Sequence, residues 1–249
     1  SNNHDEFGRP ANEWKYKSEI VGTYADNSDL LATYTAKAPK GELYSLIGSS
    51  IIDELASDSK DSSKTTYTLQ FWVDGQKVAI ANRSSAATLK TQKANFFEKN
   101  SSAAAGWTNA ISKGDIIGQS GNGVLTQVFM DDDNNVIITM INTYVMKATA
   151  DYNSSRESVT VEPVDINTDD SPNNIVLPNL PTRLDQDDFN VEGVKENDYL
   201  LVNYSYDSSD VINVKVAEKI SGTVSQYTVG DNVVIDGTTY KYNKIVGAT

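Results

Sequence analysis

Two Asp-Gly dipeptides constrain this chain more than any other feature. Asp74-Gly75 stands between Thr66–Val73 and Lys77–Ala81, and Asp236-Gly237 between Val233-Val234-Ile235 and Thr239–Tyr242. Asp and Gly both tolerate positive φ, so each dipeptide fits the two central positions of a tight turn whose twist matches paired strands. The flanking residues are β-branched or aromatic, as a pleated, half-buried surface prefers. The chain is therefore committed to antiparallel hairpins.

Much of the remaining sequence repeats that pattern. Strands are expected at Leu30–Thr35, Val124–Met130, Val136–Ile141, Thr143–Ala148, Ser158–Glu162, Tyr199–Tyr204, Val211–Val216 and Gly222–Val224, with a bend at Asn142. One helix is expected over 41–57, where Leu43, Ile47, Ile51 and Leu55 recur every four residues after Pro39-Lys40-Gly41. Residues 86–105 read both ways: Leu89, Phe96 and Phe97 suit a helix, and Ser101 to Gly106 suits a loop. The stretch 163–188, with Pro163, Pro172, Pro178 and Pro181, is a long excursion between strands.

The expected fold class is mainly β with a smaller α+β N-terminal part, and a β-barrel-like or sandwich domain in the second half. The bounds read as a tail over 1–12, an α+β domain over 13–113 and an all-β domain over 114–220. Terminal strands over 221–249 either complete that domain or begin another.

Composition removes function classes. The 249 residues contain no cysteine and one histidine, His4. Disulfide scaffolds, thiolate metal sites and cysteine nucleophiles are excluded, and a His-based triad or relay lacks a histidine in a rigid frame. No apolar run reaches the length of a membrane helix, so no membrane insertion is expected. The net charge of −13 opposes nucleic-acid binding. That charge is unevenly placed. Residues 1–125 hold 13 Lys/Arg against 14 Asp/Glu, whereas 126–249 hold 8 against 20.

Each remaining motif has a structural reading beside the functional one. Asp131, Asp133 and Asn135 are spaced as in the opening of a calcium loop, but Val136 and Asn142 replace the glycine and glutamate such a loop needs. They are weak metal candidates in what otherwise reads as a β-turn. Asp169-Asp170 and Asp185-Gln186-Asp187-Asp188 could supply paired carboxylates, or simply a solvated negative surface. Gly118-Gln119-Ser120-Gly121-Asn122-Gly123 lacks the Lys-Ser/Thr of a phosphate loop and reads as a turn. Trp14, Trp72, Trp107 and the tyrosines at 199, 204, 206, 227, 240 and 242 could stack on sugars, or belong to cores and sheet faces.

A set of phrases resembles one family. These are Asp5-Glu6-Phe7-Gly8-Arg9-Pro10-Ala11 with Trp14 and Ile20–Tyr24, Asn142-Thr143-Tyr144-Val145, Asn197–Val202, and Gly222-Thr223-Val224 leading to Asp236–Tyr242. Together they look like the region adjoining the anchoring repeats in S-layer-homology-domain-containing cell-surface proteins of clostridia-like bacteria. The repeats are absent from this sequence, and the resemblance brings no catalytic residues.

The resemblance implies a secreted protein at the bacterial cell wall. The leading expectation is a non-catalytic structural or interaction module of such an S-layer-like protein. Its partners would be other surface proteins or cell-wall polymers. No cofactor is called for, with surface calcium left open. The alternative is a glycan- or ligand-binding module using exposed aromatics, and a carboxylate-based hydrolase ranks last. The oligomeric state is left undetermined.

Overall fold

The computed structural model describes residues 4–16, 19–34, 67–83, 107–108, 123–132, 135–164, 178–229 and 231–241. Their regular structure is strand throughout. In chain order the strands are β1 (Ala11–Tyr16), β2 (Glu19–Ala25), β3 (Leu30–Tyr34), β4 (Tyr67–Val73), β5 (Gln76–Arg83), β6 (Trp107–Thr108), β7 (Val124–Met130) and β8 (Asn135–Asn142). There follow β9 (Tyr144–Ala148), β10 (Ser158–Pro163), β11 (Arg183–Asp185), β12 (Tyr199–Ser205), β13 (Asp210–Val216), β14 (Val224–Thr228), β15 (Asn232–Ile235) and β16 (Thr238–Lys241).

The mainly β expectation holds. The helix expected over 41–57 falls outside the described residues, and the described N-terminal part contains strands only, so the α+β character expected there is not supported. Ala11–Tyr16 and Glu19–Ala25, read from sequence only as anchor-bearing segments, form a hairpin. Among the described residues no helix is long and apolar enough to cross a membrane.

Two sheets carry the core. The first is ordered β3-β7-β8-β4-β5-β6. Its one parallel pair is β4–β8, because β5 occupies the antiparallel return from β4 and the chain rejoins β4 only after a long connection. Strands from both sides of residues 113 and 114 share this sheet. The second sheet is ordered β11-β10-β9-β12-β13 and is antiparallel throughout.

Thr143 alone separates β8 from β9, so the chain passes directly from one sheet into the other. The bend expected at Asn142 is this corner. It is pinned on both sides: Thr143 N–H donates to Gly123 O at 2.7 Å, and Asn203 Nδ2 donates to Asn142 O at 3.0 Å.

Period-two alternation explains what the sheets enclose. Val136, Ile138 and Met140 of β8 point inward with Phe71 and Val73 of β4. Tyr144, Met146 and Ala148 of β9, Val159 and Val161 of β10, and Leu200 and Val202 of β12 continue the same core. Leu180, Val191 and Val194 close it from the loops. One apolar cluster therefore spans both sheets.

The terminal strands form a third, three-stranded sheet, β14-β15-β16. Cross-strand register aligns Val224, Ile235 and Thr238 in one row and Tyr227, Val233 and Tyr240 in the next, on one face. That face is open to solvent, with Val224 53% and Tyr227 67% exposed.

Candidate functional site

Among the described residues, two places concentrate polar side chains. The first is the corner between the two main sheets, built around the β4–β5 turn. Asp74 and Gly75 take φ of 47° and 76°, the tight-turn geometry read from the sequence. The turn then does something its sequence does not announce. Asp74 is fully buried, and its carboxylate reaches across to the β8–β9 corner. It accepts from Asn142 N–H at 2.7 Å, Asn142 Nδ2 at 2.9 Å and Tyr144 Oη at 2.6 Å.

The backbone of Asp74 joins further elements. Its N–H donates to Met140 O at 2.9 Å, and its carbonyl accepts from Tyr206 N–H at 2.7 Å in the turn after β12. Burial pushes the Asp74 carboxyl up to about 6, against the three donated hydrogen bonds that pull it down. Burial, with Asp74 alongside, also holds the Tyr144 hydroxyl far above its ordinary value.

The chain's N-terminal strap, residues 4–10, seals this corner. Asp5 organises the strap by accepting from Phe7 N–H at 2.9 Å, Arg9 N–H at 3.0 Å and Arg9 Nε at 2.7 Å. Ser205 Oγ donates to Glu6 O and accepts from Asp207 N–H at 3.1 Å. Gly75 lies against both Glu6 O and Ser205 Oγ, and Gly8 lies flat on the Trp72 ring. At both positions a Cβ would collide with its neighbour.

The second place is an open cleft of about 370 Å3, walled by His4, Asp29, Gln70, Lys77, Asp131 and Asn135 over Trp72. Asp29 is held above its ordinary value, first by burial and then by the nearby charges of Asp131, Asp26 and Asp132. Trp72 is 7% exposed, with Lys77 Nζ 5.0 Å from its ring centroid and the His4 ring at 4.8 Å. It is a buried wall of the cleft, not an open stacking platform.

The candidates read from the sequence are placed as follows. Asp131 and Asn135 come together, but as turn partners: Asp131 Oδ1 accepts from Asn135 N–H and Oδ2 from Asn135 Nδ2, both at 2.8 Å. Asp133 lies outside the described residues, as do Asp169-Asp170, Tyr242 and residues 118–122. Among the described residues no group of three His, Cys, Asp or Glu is set to hold a metal ion.

Asp185 pairs with Arg183 at 3.0 Å, and Gln186 Oε1 accepts from Val191 and Glu192 N–H. Tyr204 and Tyr206 meet edge to face at 80°, so they do not form a flat pair. Asp74, Asn142 and Tyr144 as a unit were missed by sequence reasoning. No spacing rule links residue 74 to residues 142 and 144, and the bend at Asn142 was the one available signal.

No protein-family model, curated protein or solved structure matches the chain.

Proposed function

We propose that this chain is a non-catalytic structural and interaction module of a secreted bacterial cell-surface protein of the S-layer-homology-domain kind. Its partners are other surface proteins or cell-wall polymers. The helix over 41–57 and a small α+β part around it stay within this proposal.

The buried Asp74 carboxylate supports the non-catalytic part of this reading, and the family-like phrases of the sequence support its surface setting. A carboxyl raised by burial is a candidate catalytic acid when it faces a cleft. Asp74 faces none: it has no exposed surface, and its oxygens are engaged by Asn142 and Tyr144. This buried carboxylate ties a turn of the first sheet to Tyr144 of the second. The open apolar face of β14–β16 supports an interaction role, since contiguous exposed apolar surface marks partner sites.

Protease shaving of intact cells of the source bacterium, read by mass spectrometry, tests this. Peptides of this chain are expected in the shaved fraction. Their release only after lysis overturns the surface assignment, and turnover of a glycoside or peptide substrate by the purified chain overturns the non-catalytic one.

The cleft over Trp72 favours a second reading, a module that binds glycan or another polar ligand. Its carboxylate and amide walls offer planar polar groups to hydroxyls. Saturable glycan-array binding that is lost in Asp131→Ala would move the assignment to this reading.

A further inference from the structure

The open cleft beside Trp72 has charges of opposite sign at its two ends, and sheet order sets them apart. Its floor is one cross-strand row, Phe129 of β7, Ile137 of β8 and Gln70 of β4, with all three side chains on one face. Asp29 stands at the β7 end, where its carbonyl accepts from Met130 N–H at 2.9 Å. Lys77 of β5 stands at the other end, its ammonium 5.0 Å from the centroid of the Trp72 ring. The strands β7, β8 and β4 lie between β3 and β5, and the floor row alone crosses about 10 Å.

The two charges do not pair with each other. Among the described residues, the Asp29 carboxylate has no hydrogen bond or ion pair, and the Lys77 ammonium meets only the ring. Asp131 beside Asp29 differs, since both its oxygens accept from Asn135. Burial and the charges of Asp131, Asp26 and Asp132 hold Asp29 above its ordinary value, so a cation placed there is favoured.

A simple cation would match Asp29 and be repelled by Lys77, and a simple anion the reverse. A neutral sugar matches neither charge. Between the ends, Gln70 Oε1 accepts from Trp72 Nε1 at 3.2 Å, which leaves the Gln70 amide nitrogen to donate to a carbonyl.

We propose that this cleft binds a short zwitterionic peptide across the strands, with its ammonium against Asp29 and its carboxylate against Lys77. The proposal rests on the second reading above, in which the cleft takes a polar ligand, and names the class of that ligand. An extended tripeptide spans about 10 Å between its ends, which matches the floor.

The test is amide-detected NMR titration of the full chain at pH 7 and low salt. The probes are trialanine with free ends, its N-acetylated form, its C-terminal amide and the neutral trisaccharide maltotriose. Free trialanine should give saturable shifts at the amides of Gln70, Phe129 and Ile137. Blocking either end should weaken binding about tenfold, as loss of one charge-assisted contact does. In Asp29→Asn acetylation should no longer matter, and in Lys77→Gln amidation should no longer matter. Equal binding of the blocked forms, or tighter binding of maltotriose, overturns the zwitterion proposal and leaves the polar-ligand reading standing. No saturable shift with any probe overturns both. If either variant does not fold, the comparison of probes on the wild type decides.

Discussion

Asp74→Ala is expected to lower stability by several kcal/mol at pH 7, within about 1–8 kcal/mol, measured by urea unfolding. The substitution strands three buried donors, each costing about 1–3 kcal/mol when unpaired. It also places alanine at a φ of 47°, a left-handed conformation that costs about 1–2 kcal/mol outside glycine. Against these stands relief of the buried charge. A carboxyl raised from 3.8 to about 6 carries a cost of about 3 kcal/mol when ionised. The loss should therefore grow at pH 5, where wild-type Asp74 is largely protonated and that relief is no longer available.

Asp74→Asn separates shape from charge. Asparagine tolerates the same φ and keeps an acceptor for Asn142 N–H, while its amide can donate to Tyr144 Oη once the Asn142 side-chain amide, which now donates to Oδ2, turns over to present its oxygen. It should remain within about 1 kcal/mol of wild type at pH 7. A loss equal to that of alanine would mean that the charge itself, and not the hydrogen-bond geometry, holds the corner.

The second large effect is expected at Gly75, with Gly237 as its control. Both are the second residue of an Asp-Gly turn, with φ of 76° and 81°. Alanine at either position incurs the left-handed backbone cost of about 1–2 kcal/mol. Around Gly237 there is nothing within 4 Å of the added Cβ, so the loss should end there. At Gly75 the methyl would overlap Glu6 O and sit 2.7 Å from Ser205 Oγ. Strap or turn must move, at a further cost of about 1–3 kcal/mol. Gly75→Ala should thus lose about 2–5 kcal/mol in total, measured by thermal or urea unfolding. Equal losses at the two glycines would mean that the strap does not seat on the turn.

These two glycines also show what the sequence could and could not convey. Each Asp-Gly pair announced its hairpin, because turn chemistry is local. The strand over Thr143–Ala148 was legible for the same reason, and its Tyr144, Met146 and Ala148 are the buried positions. Which hairpin carried the molecule's central polar contacts was not legible. Asp74 and Asp236 are equivalent as sequence, yet one is fully buried and the other sits in a mostly exposed sheet.

The β4–β8 parallel pairing was hidden as well. It joins segments more than sixty residues apart, and no periodicity encodes which distant strand becomes a neighbour. In the acidic loop, Asp131 accepts from Asn135 N–H and Nδ2, contacts that the spacing of the two residues alone did not convey.

With the Asp74 corner joining them, the two main sheets are expected to unfold as one cooperative body. Native-state hydrogen exchange across a urea series tests it most directly, read at Ile138 in the first sheet and at Met146 and Leu200 in the second. In the wild type, these amides are expected to merge into a single unfolding isotherm, and in Asp74→Ala to separate into two. Separate isotherms in the wild type would contradict the claim, as would a single one that survives in Asp74→Ala.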